Sequence, residues 1–370
     1  MSKSILVWGA PYRVAHPDDH VAAFAESGNN YGNLLIGHGV RSVLAHVPLL
    51  DREELASPEE ANERCSQVVI PAANFLWKDF DFAYMLNFLE KTRLPVTMIG
   101  VGAQTNDRTT SSPIHPNTLQ LMKLVSERSA QIGVRGYYTA EVLAANGIHN
   151  VAVIGCPSLY SKRTPTIHIE VERLGHVEQL AINLSRRVNR HSFHPDRMQA
   201  LENKVLALAL GRKSTFIAQD ELDELQAAHS QTPCPTQVTN YFNETDGAVV
   251  SGYFCENTRY FADIDAWESF IRTQDASIGT RFHGNLIALI NGVPALMIIH
   301  DSRTMEMCTL MGIPSIHVSE IGSEGISIEQ MTERLMEARF DRFESAYAAL
   351  YRRYLGFLDA NALPHSLMRI

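Results

Sequence analysis

Short apolar runs alternate with amphipathic helical patterns along most of this chain, and no other feature limits its possible folds as strongly. A first series of apolar runs covers residues 4–9, 68–70, 95–100, 131–134 and 151–154. Segments such as 80–92 and 116–129 lie between them and carry apolar residues at helical spacing. A strand-then-helix alternation predicts a parallel sheet with helices on both faces.

A second series follows a polar linker that begins at residues 161–166. Its apolar runs cover 180–184, 214–218, 276–279 and 295–300, and residues 328–358 are helical and charged. The pattern predicts an α/β protein with two Rossmann-like domains facing a cleft. We expect an N-terminal domain over 1–165, a second domain over 175–335, and C-terminal helices over 336–370 that pack across the domains.

Composition narrows the class of protein. The 370 residues suit about two domains. The net charge of −9 and the lack of a basic stripe argue against a nucleic-acid partner. Five cysteines without CxxC spacing predict neither disulfides nor a zinc-thiolate site. No apolar run reaches the roughly 20 residues of a membrane helix, so a cytoplasmic protein is expected.

The strongest local signal is the run from Ser277 to Asn285, between a predicted strand and a predicted helix. Its glycines allow close backbone approach, and a helix N-terminus offers N–H groups to an anion. Arg281 can hold a phosphate or carboxylate through two donors, and His283 can transfer a proton near neutral pH. The alternative is a structural arginine and a capping histidine at a tight turn.

This run resembles the C-terminal signature of the polysaccharide pyruvyl transferase family. The matching positions are Arg281, His283, Gly284, Gly292, Pro294, Asp301 and Arg303. Looser similarity lies at Asn30–Asn33, at Ile99–Gln104, and from Gly133 through Cys156–Pro157. Asn33, Gly136 and Cys156 stand where the family carries acidic residues.

The resemblance implies a glycosyltransferase-B-like fold and transfer of a pyruvyl group, as a ketal, from phosphoenolpyruvate to a sugar. It implies catalytic roles for His283 and Arg281, with no cofactor and no metal. The substrate-binding residues expected on this basis are Arg135, Asn33, Asn285, Arg303, Gly284 and Gln104. The acceptor would be a glycan or lipid-linked sugar of a cell-surface polysaccharide, and peripheral membrane association and a homo-oligomer both stay open.

Three alternatives compete with this interpretation. One is a glycosyltransferase on the same scaffold that uses a nucleotide-sugar donor. Another is a non-catalytic carbohydrate-binding relative, because three family acids are replaced. The third is a zinc-dependent sugar N-deacetylase, since His16–Pro17–Asp18–Asp19–His20 is similar to that class's motif. There Asp18 would act as the base, with zinc on His16, Asp19 and His194.

Aromatic residues and a basic turn supply weaker signals. Phe75 and Trp77 follow a predicted strand, where they could stack on a sugar ring or form a buried aromatic pair. Residues 183–187 follow the first strand of the second series and could contact substrate. Gly100 and Gly102 lack the third glycine of the dinucleotide fingerprint, so NAD is not expected. A tyrosine stripe from Tyr347 predicts packing across the domains or on a partner chain.

Overall fold

The chain divides into two compact units. The computed structural model describes residues 3–44, 46–104, 113–212, 214–321 and 326–369. Unit 1 comprises Met1–Tyr12, Ile36–Thr166 and Ala346–Ile370, and unit 2 comprises Arg13–Leu35 and Ile167–Ser345. These units depart from the expected boundaries because residues 13–35 group with unit 2 and residues 346–370 group with unit 1. The two units are defined by their tertiary contacts, and the order of residues along the chain does not reveal those contacts.

Strands and helices alternate along the described chain. The strands are β1 (Ser4–Val7), β2 (Leu49–Asp51), β3 (Cys65–Pro71), β4 (Val96–Val101), β5 (Ile132–Val134), β6 (Val151–Val153), β7 (Leu180–Asn183), β8 (Thr215–Ile217), β9 (Thr258–Arg259), β10 (Ala276–Gly279), β11 (Ala295–Ile299) and β12 (Ser315–His317). The helices are α1 (His20–Glu26), α2 (Gly32–Val43), α3 (Pro58–Arg64), α4 (Ala83–Glu90), α5 (Pro116–Arg128), α6 (Tyr137–Ala145), α7 (Pro195–Arg212), α8 (Leu222–Ser230), α9 (Thr236–Tyr241), α10 (Gly247–Asn257), α11 (Ile264–Ile271), α12 (Phe282–Ile290), α13 (Ser302–Met311), α14 (Ile328–Met336) and α15 (Phe340–Ala360).

Unit 1 is built on a six-stranded parallel sheet with the order β2-β1-β3-β4-β5-β6. Its central strands are apolar and almost wholly buried, as in parallel sheets covered on both faces. The chain adds β2 on one side of β1 and every later strand on the other. The winding therefore reverses between β1 and β3, which is where ligands bind in such sheets.

Unit 2 is built on a second six-stranded parallel sheet with the order β12-β11-β10-β7-β8-β9. Counted from β7, this is the 3-2-1-4-5-6 order of dinucleotide-binding sheets. The winding reverses between β7 and β10, whose last paired residues are Asn183 and Gly279. The α/β fold with two Rossmann-like halves is confirmed.

Sequence periodicity located most of the strands but missed several elements. It gave no strand at β2, β9 or β12 and no helix at α1 or α2. These strands have two or three residues, too few for a pattern to stand out. The helical pattern over 328–358 proves to be two helices, α14 and α15, separated at residues 337–339.

The aromatic stripe of α15 packs within unit 1. Tyr354 stacks on Tyr160 with ring centroids 4.2 Å apart. The Tyr347 and Tyr351 hydroxyls donate to the carbonyls of Thr164 and Arg163, at 2.6 and 2.8 Å. These rings therefore fill the core of unit 1 beside the chain segment that leaves it. Among the described helices, none combines the length and apolarity needed to cross a membrane.

Replacing Gly279 by alanine should destabilise unit 2. A Cβ there would lie 1.9 Å from the Asn183 carbonyl oxygen and 2.4 Å from Asn183 Oδ1, so β7 and β10 would have to separate. We expect Gly279→Ala to lower the free energy of unfolding in urea by about 1–3 kcal/mol or more. Gly252→Ala is the control, because Gly252 lies in α10 with nothing near its Cβ position and should gain about 0.5–1 kcal/mol. Equal stability of the two variants would contradict this packing.

Candidate active site

A cluster of polar side chains lies at the carboxyl ends of β7 and β10, where the winding of the unit 2 sheet reverses. Asn183 ends β7, and Arg281 is the residue immediately before α12. The Arg281 N–H donates to Asn183 Oδ1 at 2.8 Å. This hydrogen bond fixes the start of α12 relative to the end of β7.

Asn285 holds the same turn together from inside α12. Its Nδ2 donates to the carbonyls of Gly279 and Arg281, both at 3.1 Å, and to Asn183 Oδ1 at 3.2 Å. Its Oδ1 accepts from the Ser277 hydroxyl at 2.9 Å. The side chain is fully buried. Asn285 was expected to bind substrate, but its amide is satisfied by protein groups, so its contacts are structural.

Gly284 lies where a side chain has no room. A Cβ on it would approach Gln219 Nε2 to 2.8 Å and Asn183 Cγ to 3.0 Å. The absence of a side chain therefore lets the first turn of α12 lie directly against the segment that follows β8. Gly284 shapes the site through its backbone.

The guanidinium of Arg281 is buried and engaged with acidic side chains. Its Nε donates to Glu221 Oε1 at 2.9 Å and to the Leu184 carbonyl at 2.7 Å. A terminal nitrogen forms ion pairs with Glu221 and Asp220. Burial, with the charge of Arg303 acting in the same direction, lowers the pKa of Arg281 to about 9, so the group stays charged at neutral pH. These contacts favour the structural interpretation of Arg281 over direct substrate binding.

Two carboxyl groups in this cluster are fully buried. Burial raises the pKa of both Glu221 and Glu202. Glu202 accepts from the Tyr241 hydroxyl at 2.7 Å and from Thr280 Oγ1 at 3.2 Å. The charge of Arg281 opposes this shift at Glu202, and the Gln219 N–H and the charge of Arg186 oppose it at Glu221.

His283 lies in the first turn of α12, close to Gly32 and to the segment that follows β8. A Cβ on Gly32 would come within 2.9 Å of His283 Nδ1, Gln219 Oε1 and Asn30 Oδ1 alike. The imidazole is 7% exposed and meets the Phe282 ring edge-on at 5.3 Å. Gly32 therefore allows residues 30–32 to lie against the imidazole, a ring type that enzymes use for proton transfer.

Asn33 supports the turn that brings Gly32 to this place. Its Nδ2 donates to the Ser27 carbonyl at 3.1 Å, while Asn30 Oδ1 accepts from the Gly32 N–H at 2.8 Å. The Tyr31 N–H donates to the Gln219 carbonyl at 3.0 Å. Asn33 was expected to bind substrate, and the structure instead places Asn30 and Gly32 next to His283.

Arg303 is a second cation near this cluster. Its Nε and a terminal nitrogen each lie 3.4 Å from Asp301 Oδ2. Asp301 caps α13 by accepting from the Thr304 N–H at 2.7 Å. Burial by itself would raise the pKa of Asp301, but Arg303 and His300 outweigh it and lower that pKa to about 2. Asp301 is thus a carboxylate, and its contacts with Arg303 are long.

Arg135 and Gln104 lie in unit 1, where Asn74 links them. Arg135 donates to the Gly100 carbonyl at 2.9 Å, to Asn74 Oδ1 at 3.1 Å and to the Ala72 carbonyl at 3.2 Å. Asn74 Nδ2 in turn donates to Gln104 Oε1 at 3.1 Å. Arg135 is 1% exposed. It was expected to hold the donor substrate, and these bonds tie the segment after β3 to the end of β4.

The histidine- and aspartate-rich run of the deacetylase alternative makes other contacts. His16 Nδ1 lies 2.6 Å from Glu26 Oε1, and Asp19 caps α1 by accepting from two backbone N–H groups at 3.0 Å. His20 stacks on His229 with centroids 4.0 Å apart. The described part of the chain holds no group of three or more His, Cys, Asp or Glu residues that could bind a metal ion. The structure thus gives no support to a site on His16, Asp19 and His194.

Sequence patterns missed Gln219 and Glu221. The residues from 220 onwards were assigned to a helix, although α8 begins only at Leu222. Both missed residues follow β8 directly, so the rule that ligands and functional side chains collect after the carboxyl ends of strands would have found them.

Comparison with known proteins connects these features to a family. The family model described as polysaccharide pyruvyl transferase matches residues 25–302. That range includes Gly32, Gln219 and His283 and ends just before Arg303. No curated protein matched the sequence.

Similar solved structures include three complexes with UDP or UDP-GlcNAc. The Staphylococcus aureus MnaA–UDP structure is 11% identical, with a TM-score of 0.47, covering 97% of this chain and 98% of that one. Anabaena Alr3699/HepE with UDP and glucose is 12% identical, with a TM-score of 0.46 and coverage of 97% and 100%. Neisseria meningitidis UDP-GlcNAc 2-epimerase with UDP-GlcNAc is 10% identical, with a TM-score of 0.45 and coverage of 96% and 100%.

Removing the Arg281 side chain should strongly destabilise the protein. Arg281→Ala leaves Glu221 and Asp220 without their cation in a buried site, and we expect a loss of about 3–5 kcal/mol in the free energy of unfolding. Arg187→Ala is the control, since Arg187 is exposed and should change it by no more than about 0.5 kcal/mol. Urea unfolding followed by circular dichroism measures both. If the Arg281 variant is as stable as the control, the ion pair is not structural.

Acid should weaken the packing of α1 through His20. Burial, and then the neighbouring His229, lower the pKa of His20 below its ordinary value of 6.5. As pH falls through 6.5 the unfolded chain binds a proton that the folded chain resists, so this contribution to stability is present above that pH and lost below it. The urea midpoint should therefore fall less between about pH 7.5 and about pH 5.5 in His20→Gln than in wild type. His149→Gln, which alters an exposed histidine, should behave as wild type. A His20→Gln variant whose urea midpoint falls as much as that of wild type would contradict this assignment.

Proposed function

Since the chain belongs to the polysaccharide pyruvyl transferase family and is a transferase, we propose that its donor is phosphoenolpyruvate and its acceptor a sugar of a cell-surface polysaccharide or of a precursor. The observation that carries this proposal is the position of His283. It lies at the start of α12, against Gly32 and Gln219, at the strand ends where ligands bind in such sheets. The product would be a pyruvyl ketal.

The reaction needs one proton donor and one proton acceptor. A proton adds to the methylene carbon of phosphoenolpyruvate, and a sugar oxygen attacks the neighbouring carbon. A second hydroxyl of the sugar then displaces phosphate, so that one hydroxyl proton ends on the new methyl group and the other on phosphate. His283 is suited to one of these transfers because imidazole exchanges protons near neutral pH.

The donor's negative charge requires partners other than Arg281, whose guanidinium is held by Glu221 and Asp220. The first turn of α12 supplies backbone N–H groups, because Arg281 makes no side-chain capping bond there. Gln219 Nε2 is buried and has no hydrogen-bond partner among the described residues. Arg303 adds a positive charge that Asp301 contacts only at 3.4 Å. We assign phosphate or carboxylate binding to these three groups.

A nucleotide-sugar donor is the second candidate. The 3-2-1-4-5-6 order of the unit 2 sheet is the order that binds nucleotides at its reversal point. The same start of α12 would then take a diphosphate. The two donors differ in product, since one releases inorganic phosphate and the other a nucleoside diphosphate.

Phosphate release tests the proposal. Wild type incubated with phosphoenolpyruvate and a panel of polysaccharides and lipid-linked precursors should release phosphate and add a pyruvyl group detectable by mass spectrometry. His283→Gln should lower the rate by about 10²–10⁴ while keeping the urea midpoint, because proton transfer is lost. His149→Gln should keep the wild-type rate. No phosphate release, together with consumption of a UDP-sugar, would favour the second candidate.

A further inference from the structure

His300 is a fully buried histidine of unit 2 that the chemistry above does not use. It directly follows the carboxyl end of β11. Its Nδ1 lies 3.4 Å from the Ile298 carbonyl oxygen, and its Nε2 has no hydrogen-bond partner among the described residues. A buried polar atom without a partner costs free energy, so its presence in a folded protein calls for a physical explanation.

The unpartnered Nε2 of His300 lies near a buried carboxylate. Asp301 Oδ2 is 3.8 Å from Nε2, which is too far for a hydrogen bond but close enough for a substantial electrostatic interaction. The same Oδ2 lies 3.4 Å from two nitrogens of the Arg303 guanidinium. His300 and Arg303 therefore share one carboxylate oxygen, and neither of them makes a short bond to it.

The neutral imidazole of His300 cannot satisfy both of its neighbours. A backbone carbonyl only accepts, so the contact with Ile298 requires the proton to be on Nδ1, and Nε2 then presents a lone pair to the Asp301 carboxylate. The imidazolium, by contrast, donates at both nitrogens. The ring would therefore gain Asp301 as a partner for Nε2 by taking up a second proton.

Burial and two nearby cations keep His300 neutral. Burial lowers the pKa of His300 below its ordinary value of 6.5, and the charges of Arg303 and Arg281 act in the same direction, while the charge of Asp301 opposes them. Cys308, whose thiol lies within the field of Asp301, adds no charge because burial raises its pKa. The protonation of His300 therefore depends in part on the position of the Arg303 charge.

Arg303 is weakly held on Asp301. In the described part of the chain its guanidinium hydrogen-bonds to Asp301 alone, at 3.4 Å, whereas charged pairs of this kind usually lie about 2.7–2.9 Å apart. Its charge acts on Arg281, the residue before α12. An anion at the start of α12 would offer Arg303 a closer partner, and Asp301 Oδ2 would then have His300 as its neighbour.

We propose that His300 is a positioning residue for anion binding: when Arg303 turns from Asp301 to a bound phosphate or carboxylate, His300 takes up a proton on Nε2 and replaces Arg303 as the partner of Asp301. The proton comes from the surrounding water or buffer, one for each anion bound. The new N–H donor keeps the Asp301 carboxylate, and with it the cap of α13, in place. This inference rests on the proposed function for the anion that Arg303 binds.

Proton–nitrogen NMR of the histidine rings tests this coupling without any ligand. Wild type should show a neutral His300 at neutral pH with its proton on Nδ1, and the spectrum of His300→Gln assigns the signal. Arg303→Met should raise the pH at which His300 becomes charged by about one unit or more, because a nearby cation is removed. Arg303→Lys should titrate as wild type, because it retains the charge.

Arg259→Met is the matched control. Arg259 is an exposed arginine of unit 2 in β9, at the edge of the sheet and four strands away from β11, so its loss should leave the titration of His300 unchanged. A His300 ring that is charged at neutral pH in wild type, or that titrates alike in wild type and Arg303→Met, overturns the proposal. Urea midpoints show whether each variant is folded.

Calorimetry with phosphoenolpyruvate, in buffers of different ionisation enthalpy, counts the protons taken up on binding and does not require Arg303→Met. Wild type should take up more protons per ligand than His300→Gln, by up to about one proton. Comparing the two proteins cancels the protonation of the ligand itself. The affinity of wild type should rise more steeply than that of His300→Gln as pH falls, by up to about tenfold per pH unit. Equal proton uptake by the two proteins would overturn the proposal.

The two experiments separate this inference from the proposed function. If wild type does not bind phosphoenolpyruvate but Arg303→Met makes His300 charged, the exchange of partners at Asp301 stands and the donor assignment fails. If phosphoenolpyruvate binds with equal proton uptake in wild type and His300→Gln, the role of His300 fails and the donor assignment stands.

Discussion

The buried ion pair of Arg281 with Glu221 and Asp220 is the interaction on which the candidate site in unit 2 depends. It joins the segment after β10 to the segment after β8, and the bond from Arg281 Nε to the Leu184 carbonyl adds the end of β7. Three strand ends are thereby fixed at the point where the sheet reverses. Opposite charges buried together tolerate little displacement, since separating them leaves each without compensation.

The residues from Arg281 to Asn285 differ in the contacts they make. The side chains of Arg281 and Asn285 form hydrogen bonds with other protein groups. Gly284 leaves room for Gln219 because it has no side chain. His283 is the residue in this run whose side-chain type transfers protons in enzymes. Under the proposed function, the positive charge for an anionic donor would come from the helix N-terminus and from Arg303, whose contact with Asp301 is long.

Sequence patterns predicted the fold more fully than the site. Apolar runs located β7, β10 and β11 because buried parallel strands are continuous in apolar residues. The same patterns identified the turn that carries Arg281 and His283. They did not identify Gln219 or Glu221, because polar residues after a short strand look like the start of a helix. They could not place Gly32 near His283, since about 250 residues separate these positions in the sequence.

The amino-acid sequence by itself determined the α/β class, the two series of strands, and a histidine at the start of a helix that follows a strand. Those features depend on local periodicity and on residues close together in the chain. Only the tertiary structure decided that residues 13–35 join unit 2, that Glu221 holds Arg281, and that Gly32 lies next to His283. Each of these depends on which distant segments pack together. That packing is determined by how whole helices and strands bury their surfaces, and local sequence patterns do not contain this information.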